Sequence, residues 1–501
     1  MRLFLLSRRH PSAKLLLACS LALLLSACAD FSGIDKQSGL TDGNSLAGGA
    51  ALANLSKAAW PTSAWWQSYR DPQLDVLVQQ AVAGNPSLKI AQARIRQASS
   101  LAGVARAATL PKVGAEATST RGLYSSEYIF PPPLGGSWNW DNEITVKASY
   151  DLDLWDKDRS ALESALDNVH VSAAEARSAQ LNLETAVVRG YLQLATQYAL
   201  RDIAVATLAQ QTLIASFAQR RLAAGLGTRL EVSQAETALP DARANIEKID
   251  ENIALLRNQI AALSGKGPGS GETIQRPQLA ARLVGADSST PLAIGLPDNV
   301  PAHLVGRRPD VIAQRWRVEA MDKNIDVAKA AFYPDINISA FAGLQALGFT
   351  NFLSAASAVR GAGPAISLPI FEGGRLRANL GAQTAAFDAA VESYNNTLVQ
   401  ALQNVADQII RLKSQQQQRA QSEQALALSK QSYDLAMRGY QAGLTANINV
   451  IQTQLVLLQQ QVRVAQVRAG YLDNWAQLMQ ALGGGLGDDL PQPADAVAAG
   501  K

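Results

Sequence analysis

Cysteine is nearly absent. Cys19 and Cys28 are the only two in 501 residues. Cys19 falls inside a removable leader, so a mature chain would keep one cysteine and could form no internal disulfide. Histidine is almost as scarce: past the leader only His170 and His303 remain, and neither has a partnered serine or cysteine motif. Histidine-based catalysis lacks its parts. No run beyond the leader reaches 18 apolar residues, which excludes an apolar spanning helix. Charged residues make up only 17%. The glycine run Gly265-Lys266-Gly267-Pro268-Gly269 does not match a phosphate loop, and no dinucleotide fingerprint follows a strand. Asp151, Asp153, Asp156 and Asp158 lack the turn glycine of a calcium loop, and Leu162 stands where a glutamate should close it. The reading is therefore no enzyme, no cofactor and no metal.

Residues 1–27 read as a secretory signal, with Arg2, Arg8, Arg9 and Lys14 before an apolar core from Leu15 to Leu25. Without those four, the 45 basic residues fall to 41 against 42 acidic, so the mature chain is near neutral and nothing recruits nucleic acid. Leu25-Ser26-Ala27-Cys28 resembles the lipobox of bacterial lipoproteins. The resemblance implies cleavage before Cys28, a diacylglyceryl thioether on its sulfur and an acyl group, palmitate, on its amine. Ala29 at the next position implies sorting to the outer membrane. Residues 28–59, rich in Gly, Ser, Ala and Asn, read as a flexible lipidated tether. Trp60, Trp65, Trp66 and Tyr69 follow, an aromatic cluster suited to packing that tether onto the body.

The dominant feature is helical. From Lys157 to about Ala224 there is no proline and only Gly190 as glycine. At 1.5 Å per residue such a rod would be about 100 Å long. Gly225-Leu226-Gly227-Thr228 supplies a C-cap glycine and an N-cap threonine, and a second helix returns over 229–263. The pattern recurs over 374–442, a break at Gly443, and 447–482. Trp155 and Arg159 match Phe371 and Arg375 at a spacing of 216, whereas Arg220, Gly225, Leu226, Val232 and Gln234 match Arg438, Gly443, Leu444, Val450 and Gln452 at 218. An offset held constant within each group of positions is the mark of an internal duplication.

Between the helices the period becomes two. Ile144, Val146, Ala148, Tyr150, Leu152 and Leu154 alternate with Thr145, Lys147, Ser149, Asp151 and Asp153; Ile336, Ile338, Ala340, Ala342 and Leu344 alternate with polar positions and Phe341. Asp151 and Asp153 are expected to face a lumen, and Asp156 and Asp158 to sit at a helix N-terminus. Tyr124, Tyr128, Phe130, Trp138 and Trp140 suit an interfacial girdle. The chain then divides into a first repeat over 60–264 (strands about 112–122 and 142–155), a linker over 265–296, a second repeat over 297–485 (strands about 335–346 and 363–371) and a disordered tail over 486–501. Four strands per chain cannot sit open in hydrocarbon, because the edge N–H and C=O groups would lack partners. Closure requires several chains.

Gly295-Leu296-Pro297-Asp298-Asn299-Val300-Pro301, then Arg307-Arg308-Pro309-Asp310, Arg317 and Tyr333-Pro334 resemble the TolC-type outer membrane factors, more narrowly their NodT-type efflux lipoprotein branch. The early Trp66, Asp71-Pro72, Asn85 and Leu110-Pro111 extend the likeness over nearly the whole mature chain. It implies a mainly α fold with a membrane β-barrel: a homotrimer whose twelve strands form a barrel continuous with a twelve-helix periplasmic tube. Implied partners are outer membrane lipid, a periplasmic adaptor (membrane fusion) protein and an inner-membrane pump of resistance-nodulation-division or major-facilitator type. The implied function is the passive exit duct of a tripartite efflux system for small toxic compounds or drugs. Two other functions stay open: a type I protein-secretion duct, and a structural periplasmic coiled-coil lipoprotein. A common family form has glutamate where Arg315 stands beside Trp316.

Aperture candidates are Tyr440, Gly443, Ile448 and Gln452 in the second helix turn with Arg229 and Glu231 in the first. Some family members carry an aspartate ring near the position of Gln452. Adaptor-contact candidates are Gly225, Leu226, Gly227 and Thr228, with Gly443, Leu444 and Thr445, because glycine turns admit close backbone approach. The Arg307-Arg308-Pro309-Asp310 block is expected to start and brace a helix.

Overall fold

A computed structural model describes residues 30–46, 60–127, 129, 131–285 and 306–485. Cys28, Tyr128, Phe130, the segment 286–305 with His303, and the tail 486–501 lie outside them. The chain forms two compact units: Met1–Leu40, Ile95–Val171 and Gln314–Ser393 make the first, and Thr41–Arg94, Ser172–Ala313 and Tyr394–Lys501 the second.

The first unit is built on one antiparallel sheet. Its strands are β1 (Lys112–Leu123), β2 (Trp138–Leu152), β3 (Asp335–Leu347) and β4 (Ala358–Ser367), in the spatial order β1-β2-β3-β4. Each half of the chain contributes one hairpin, and the two join through β2 and β3, with Val146 opposite Ala342. Two strand limits differ from the sequence expectation. β2 covers 138–152 rather than 142–155, because Trp138 and Trp140 continue the ladder opposite Leu123 and Arg121. Asp153 then leaves the sheet: its carboxylate accepts the backbone N–H groups of Asp158 and Arg159 at 3.2 and 2.8 Å, so it holds the start of a helix instead of facing a lumen. β4 covers 358–367 rather than 363–371. Its Ala and Gly residues give little alternation, and Pro364 sits within it, as an end strand of the sheet allows.

The helices are α1 (Pro72–Gly84), α2 (Pro86–Ala108), α3 (Lys157–Ala223), α4 (Arg229–Leu263), α5 (Leu279–Val284), α6 (Pro309–Ala330), α7 (Arg375–Gln441) and α8 (Asn447–Ala481). α3 and α7 both have 67 residues, and α4 and α8 both 35. Both pairs are displaced by 218 positions, whereas Pro86 and Pro309, which open α2 and α6, are displaced by 223. Between those points the second hairpin region is five residues shorter than the first, whereas the long helices keep their lengths. α4 runs through Pro240 at the expense of one i→i−4 bond.

Two stretches expected to be irregular are docked. Within the linker, α5 buries Leu279, Ala280 and Leu283, and Arg282 donates to the carbonyl of Tyr69 at 2.8 Å. A helix of 6 residues is too short to show a period. Along the tether, Arg377 donates to the carbonyls of Asp30 and Ser32, both at 2.8 Å, and Asp388 accepts the N–H groups of Gln37 and Ser38 at 3.0 Å. Lys36 pairs with Asp322. In the second unit the N–H of Thr41 donates to Asn395 at 2.8 Å. Most of these contacts use the segment's backbone, which leaves no trace in side-chain composition. Also in the second unit, Trp65 and Tyr69 close around Trp475 of α8, at 6.1 and 5.4 Å between rings.

Within the first unit α3 packs on α6. His170 stacks on Trp316 at 4.4 Å, and Ser164 donates to the carbonyl of Ala320. Asp167 faces Glu319 and Glu163, with Lys323 opposing them, and Glu319 is engaged by Arg315 at 2.8 Å. Burial first, and Glu319 next, push the Asp167 carboxyl up from 3.8 to about 7.

Sheet contacts and this carboxyl each generate a test. A Cβ on Gly343 would lie 2.1 Å from the carbonyl oxygen of Ile144, whereas one on Gly363 meets nothing within 4 Å. Gly343→Ala should cost about 1–3 kcal/mol and lower the unfolding temperature of the sheet, while Gly363→Ala leaves it unchanged; equal temperatures would contradict the β2–β3 register. Asp167 holds its proton more tightly when folded than unfolded. Its contribution therefore favours folding at low pH and is lost as pH rises between 3.8 and about 7. The wild-type helical signal should melt lower at pH 8 than at pH 5.5, and Asp167→Asn should narrow that gap. An undiminished gap would refute the assignment; part of the slope will persist, since burial also raises Glu184 to about 7.

Candidate functional site

Side chains alternate between sheet faces, and residues paired across strands share a face. The registers therefore sort the whole sheet. One face carries Val113, Ala115 and Ala117, then Ile144, Val146, Ala148 and Tyr150, then Ile338, Ala340, Ala342 and Leu344, then Ala358, Ala362 and Ile366. Ile144, Val146 and Ile338 are 42, 48 and 44% exposed, an apolar wall with no described residue of the chain covering it. Toward the hairpin loops this wall ends at Asn142, which donates to the carbonyl of Gly348 at 2.9 Å, and then at Trp138 and Trp140.

The other face is polar. Glu116, Asp141, Glu143, Asp151 and Asp335 share it with Lys112 and Lys147. Lys147 pairs with Glu116 at 2.7 Å, and Asp151 is engaged by Asn337 and, at 3.5 Å, by Lys112. Phe341 lies over Gly361, where a Cβ would fall 2.7 Å from its ring. Acids outnumber bases on this face. An apolar outside and an acidic, polar inside are what a membrane strand needs when its far side lines water.

The second candidate region is the pair of helix turns in the second unit. Both end in the same Schellman geometry: Leu226 N–H reaches the Arg221 carbonyl at 2.9 Å, and Leu444 N–H the Gly439 carbonyl at 2.8 Å. Gly225 and Gly443 hold φ of +67° and +75°, which only glycine adopts freely. Thr228 caps α4 by accepting from Glu231 N–H at 3.2 Å, whereas Ala446 gives α8 no side-chain cap. The turns touch where Asn447 donates to the Glu231 carbonyl at 3.4 Å.

The site residues expected from the sequence divide here. Gly225, Leu226, Thr228, Arg229, Gly443, Leu444, Ile448 and Gln452 are exposed, and Gly227, Glu231 and Thr445 half-buried. Tyr440 is different. At 1% exposure it packs among Ala218, Ala235 and Val450, edge-on to Phe217 at 5.1 Å and beneath the Arg221 guanidinium at 5.2 Å. It offers no surface to an opening, because hydrophobic packing holds its ring between the two helix pairs. Burial, and then Glu231, raise its phenol, with Arg221 opposing. Phe217, Arg221 and Asn447, which join the turns, have no signal in the repeat, since none has its own type 218 positions away.

Arg308 binds Asp310 at 2.6 and 3.0 Å and the Ala481 carbonyl at 3.1 Å, and Arg307 lies over Trp60 at 4.9 Å. The block joins the start of α6 to the end of α8. Among the described residues no cluster of His, Cys, Asp and Glu could hold a metal ion, and no helix is long and apolar enough to cross a membrane.

An antiparallel sheet with one apolar and one polar face, in a chain that also holds duplicated helical hairpins, defines a membrane channel subunit. Residues 77–266 and 300–484 match the outer membrane efflux protein family. The chain is 45% identical over 384 residues to the fusaric acid resistance protein FusA of Burkholderia cepacia, covering 75% of this chain and 71% of that one. It is 30% identical over 450 residues to the multidrug resistance outer membrane protein MdtP of Escherichia coli K12, covering 86 and 88%. The crystal structure of the outer membrane protein VceC of Vibrio cholerae superposes with a TM-score of 0.78 at 33% identity, covering 85% of this chain and all of that one. The Campylobacter jejuni CmeC channel shares the fold, with a TM-score of 0.80 at 19% identity. This chain belongs to the outer membrane efflux protein family, a family of ducts rather than enzymes that works with periplasmic adaptors and inner-membrane pumps. It has the TolC-like fold and serves as an outer membrane exit duct in efflux.

The Tyr440 hydroxyl has no hydrogen-bond partner among the described residues. Tyr440→Phe should therefore leave the unfolding temperature of the helices nearly unchanged, while Tyr440→Ala costs about 3–5 kcal/mol. Equal loss in both variants would place the phenol, not the ring, at the centre of the contact.

Proposed function

We propose that three copies of the chain close edge to edge into a twelve-stranded barrel in the outer membrane, with the helical hairpins forming a periplasmic tube. The observation that carries this reading is the open four-stranded sheet: β1 and β4 each have one unpaired edge, and one face is apolar. The number three follows from the family resemblance. The duct performs no chemistry of its own; the pump, of resistance-nodulation-division or major-facilitator type, supplies the energy. Its cargo is fusaric acid or other small toxic compounds, a choice favoured over protein secretion by relatives named for resistance to such molecules. Cys28 carries the lipid, and the segment from Asp30 onward, held by Arg377 and Asp388, fixes that anchor to the body.

The exposed turn residues Gly225, Leu226, Gly227, Thr228, Gly443, Leu444 and Thr445 are the adaptor contacts. Arg229, Glu231, Gly443, Ile448 and Gln452 line the aperture, which carries no carboxylate at Gln452 and so should respond weakly to cations.

Purified protein in a planar bilayer should give discrete conductance steps with a preference for cations, set by Glu116, Asp141, Glu143, Asp151 and Asp335 on the polar face. Glu143→Gln should shift the reversal potential toward zero. Silence under conditions that open a related duct, or anion preference, would overturn the proposal.

A further inference from the structure

The apolar face of the sheet carries two charges, both arginines, one on each strand that ends the sheet. Arg121 on β1 stands in register with Trp140, and Arg360 on β4 with Ala342. Every strand carboxylate lies on the opposite face. Both guanidinium groups belong to exposed residues, and neither has a hydrogen bond or ion pair with a described residue. Arg360 is surrounded on its face by Ala358, Ala362 and Ala342. A charged side chain set among methyl groups against hydrocarbon is costly unless its head finds a partner. No carboxylate of β1 or β4 can serve, since Glu116 of β1 points to the polar side and β4 has none.

Position narrows the choice. Arg121 and Arg360 lie toward the loop ends of their strands, on the side of the Trp138 and Trp140 girdle. The small neighbours leave the arginine stem free to run along the sheet toward that interface. Closing the barrel, as proposed above, sets β4 of one copy beside β1 of the next, so both arginines flank one seam. Two guanidinium groups without an acid between them match a phosphate, which they can grip in bidentate fashion. We infer that each seam between copies binds a phosphate of an outer-leaflet phosphoglycolipid of the lipid A type.

This inference rests on the closed-barrel reading, and its test separates the two. Trimers purified in a phosphate-free, non-ionic detergent are incubated with bisphosphorylated lipid A and measured by native mass spectrometry. Parallel arms use phosphatidylglycerol and inorganic phosphate. Wild-type protein should retain one lipid A per seam. Arg360→Gln should weaken retention roughly tenfold, the scale of one charge-assisted contact; Arg121→Gln should act in the same direction, and Lys147→Gln on the polar face should have no effect. A trimer whose lipid A retention survives the double arginine replacement overturns the inference alone, as does equal retention of phosphatidylglycerol or of inorganic phosphate. A chain that forms no trimer overturns the closure reading itself.

Discussion

The unpaired edges of a four-stranded sheet govern this molecule. Each edge presents a row of N–H and C=O groups, and the same sheet turns a wall of valine, isoleucine and alanine outward. Water could satisfy the edges but not the wall, and hydrocarbon could satisfy the wall but not the edges. Only a partner that supplies strands answers both demands. The chain holds four strands among its described residues, and the closure proposed above has another copy of itself supply the rest.

The helical repeats show where the chain tolerates change. α3 and α7 agree in length to the residue, as do α4 and α8, and the five-residue difference between the halves falls in their hairpin regions. A helix inserted or shortened by one residue rotates every later contact by about 100°, whereas a hairpin loop absorbs length with little penalty. The two turns keep the same glycine conformation, yet differ in their caps: Thr228 supports α4, and Ala446 leaves α8 without such support. Contacts joining the turns, through Phe217, Arg221, Tyr440 and Asn447, are not repeated between the halves.

Much of this was legible in the sequence. Period-two alternation at Ile144 to Leu152 and long proline-free runs are local signals, and they located β2 and the helices. The limits of β4 were not legible, because Ala358, Gly361 and Gly363 are small on both faces and the signal depends on contrast. Docking of residues 30–46 was hidden for another reason. Asp388 and Asn395 receive backbone N–H groups, which every residue but proline possesses. The placement of Tyr440 needed the third dimension, since an aromatic beside a glycine turn can face either a neighbour or an opening, and packing against Phe217 decides it.

Amide hydrogen exchange across the sheet tests the central claim most directly. In detergent-solubilised oligomer, the amides of β1 and β4 should exchange as slowly as those of β2 and β3, because every strand of a closed barrel has a neighbour on both sides. Fast exchange confined to the outward amides of β1 and β4 would show open edges and contradict closure by self-association.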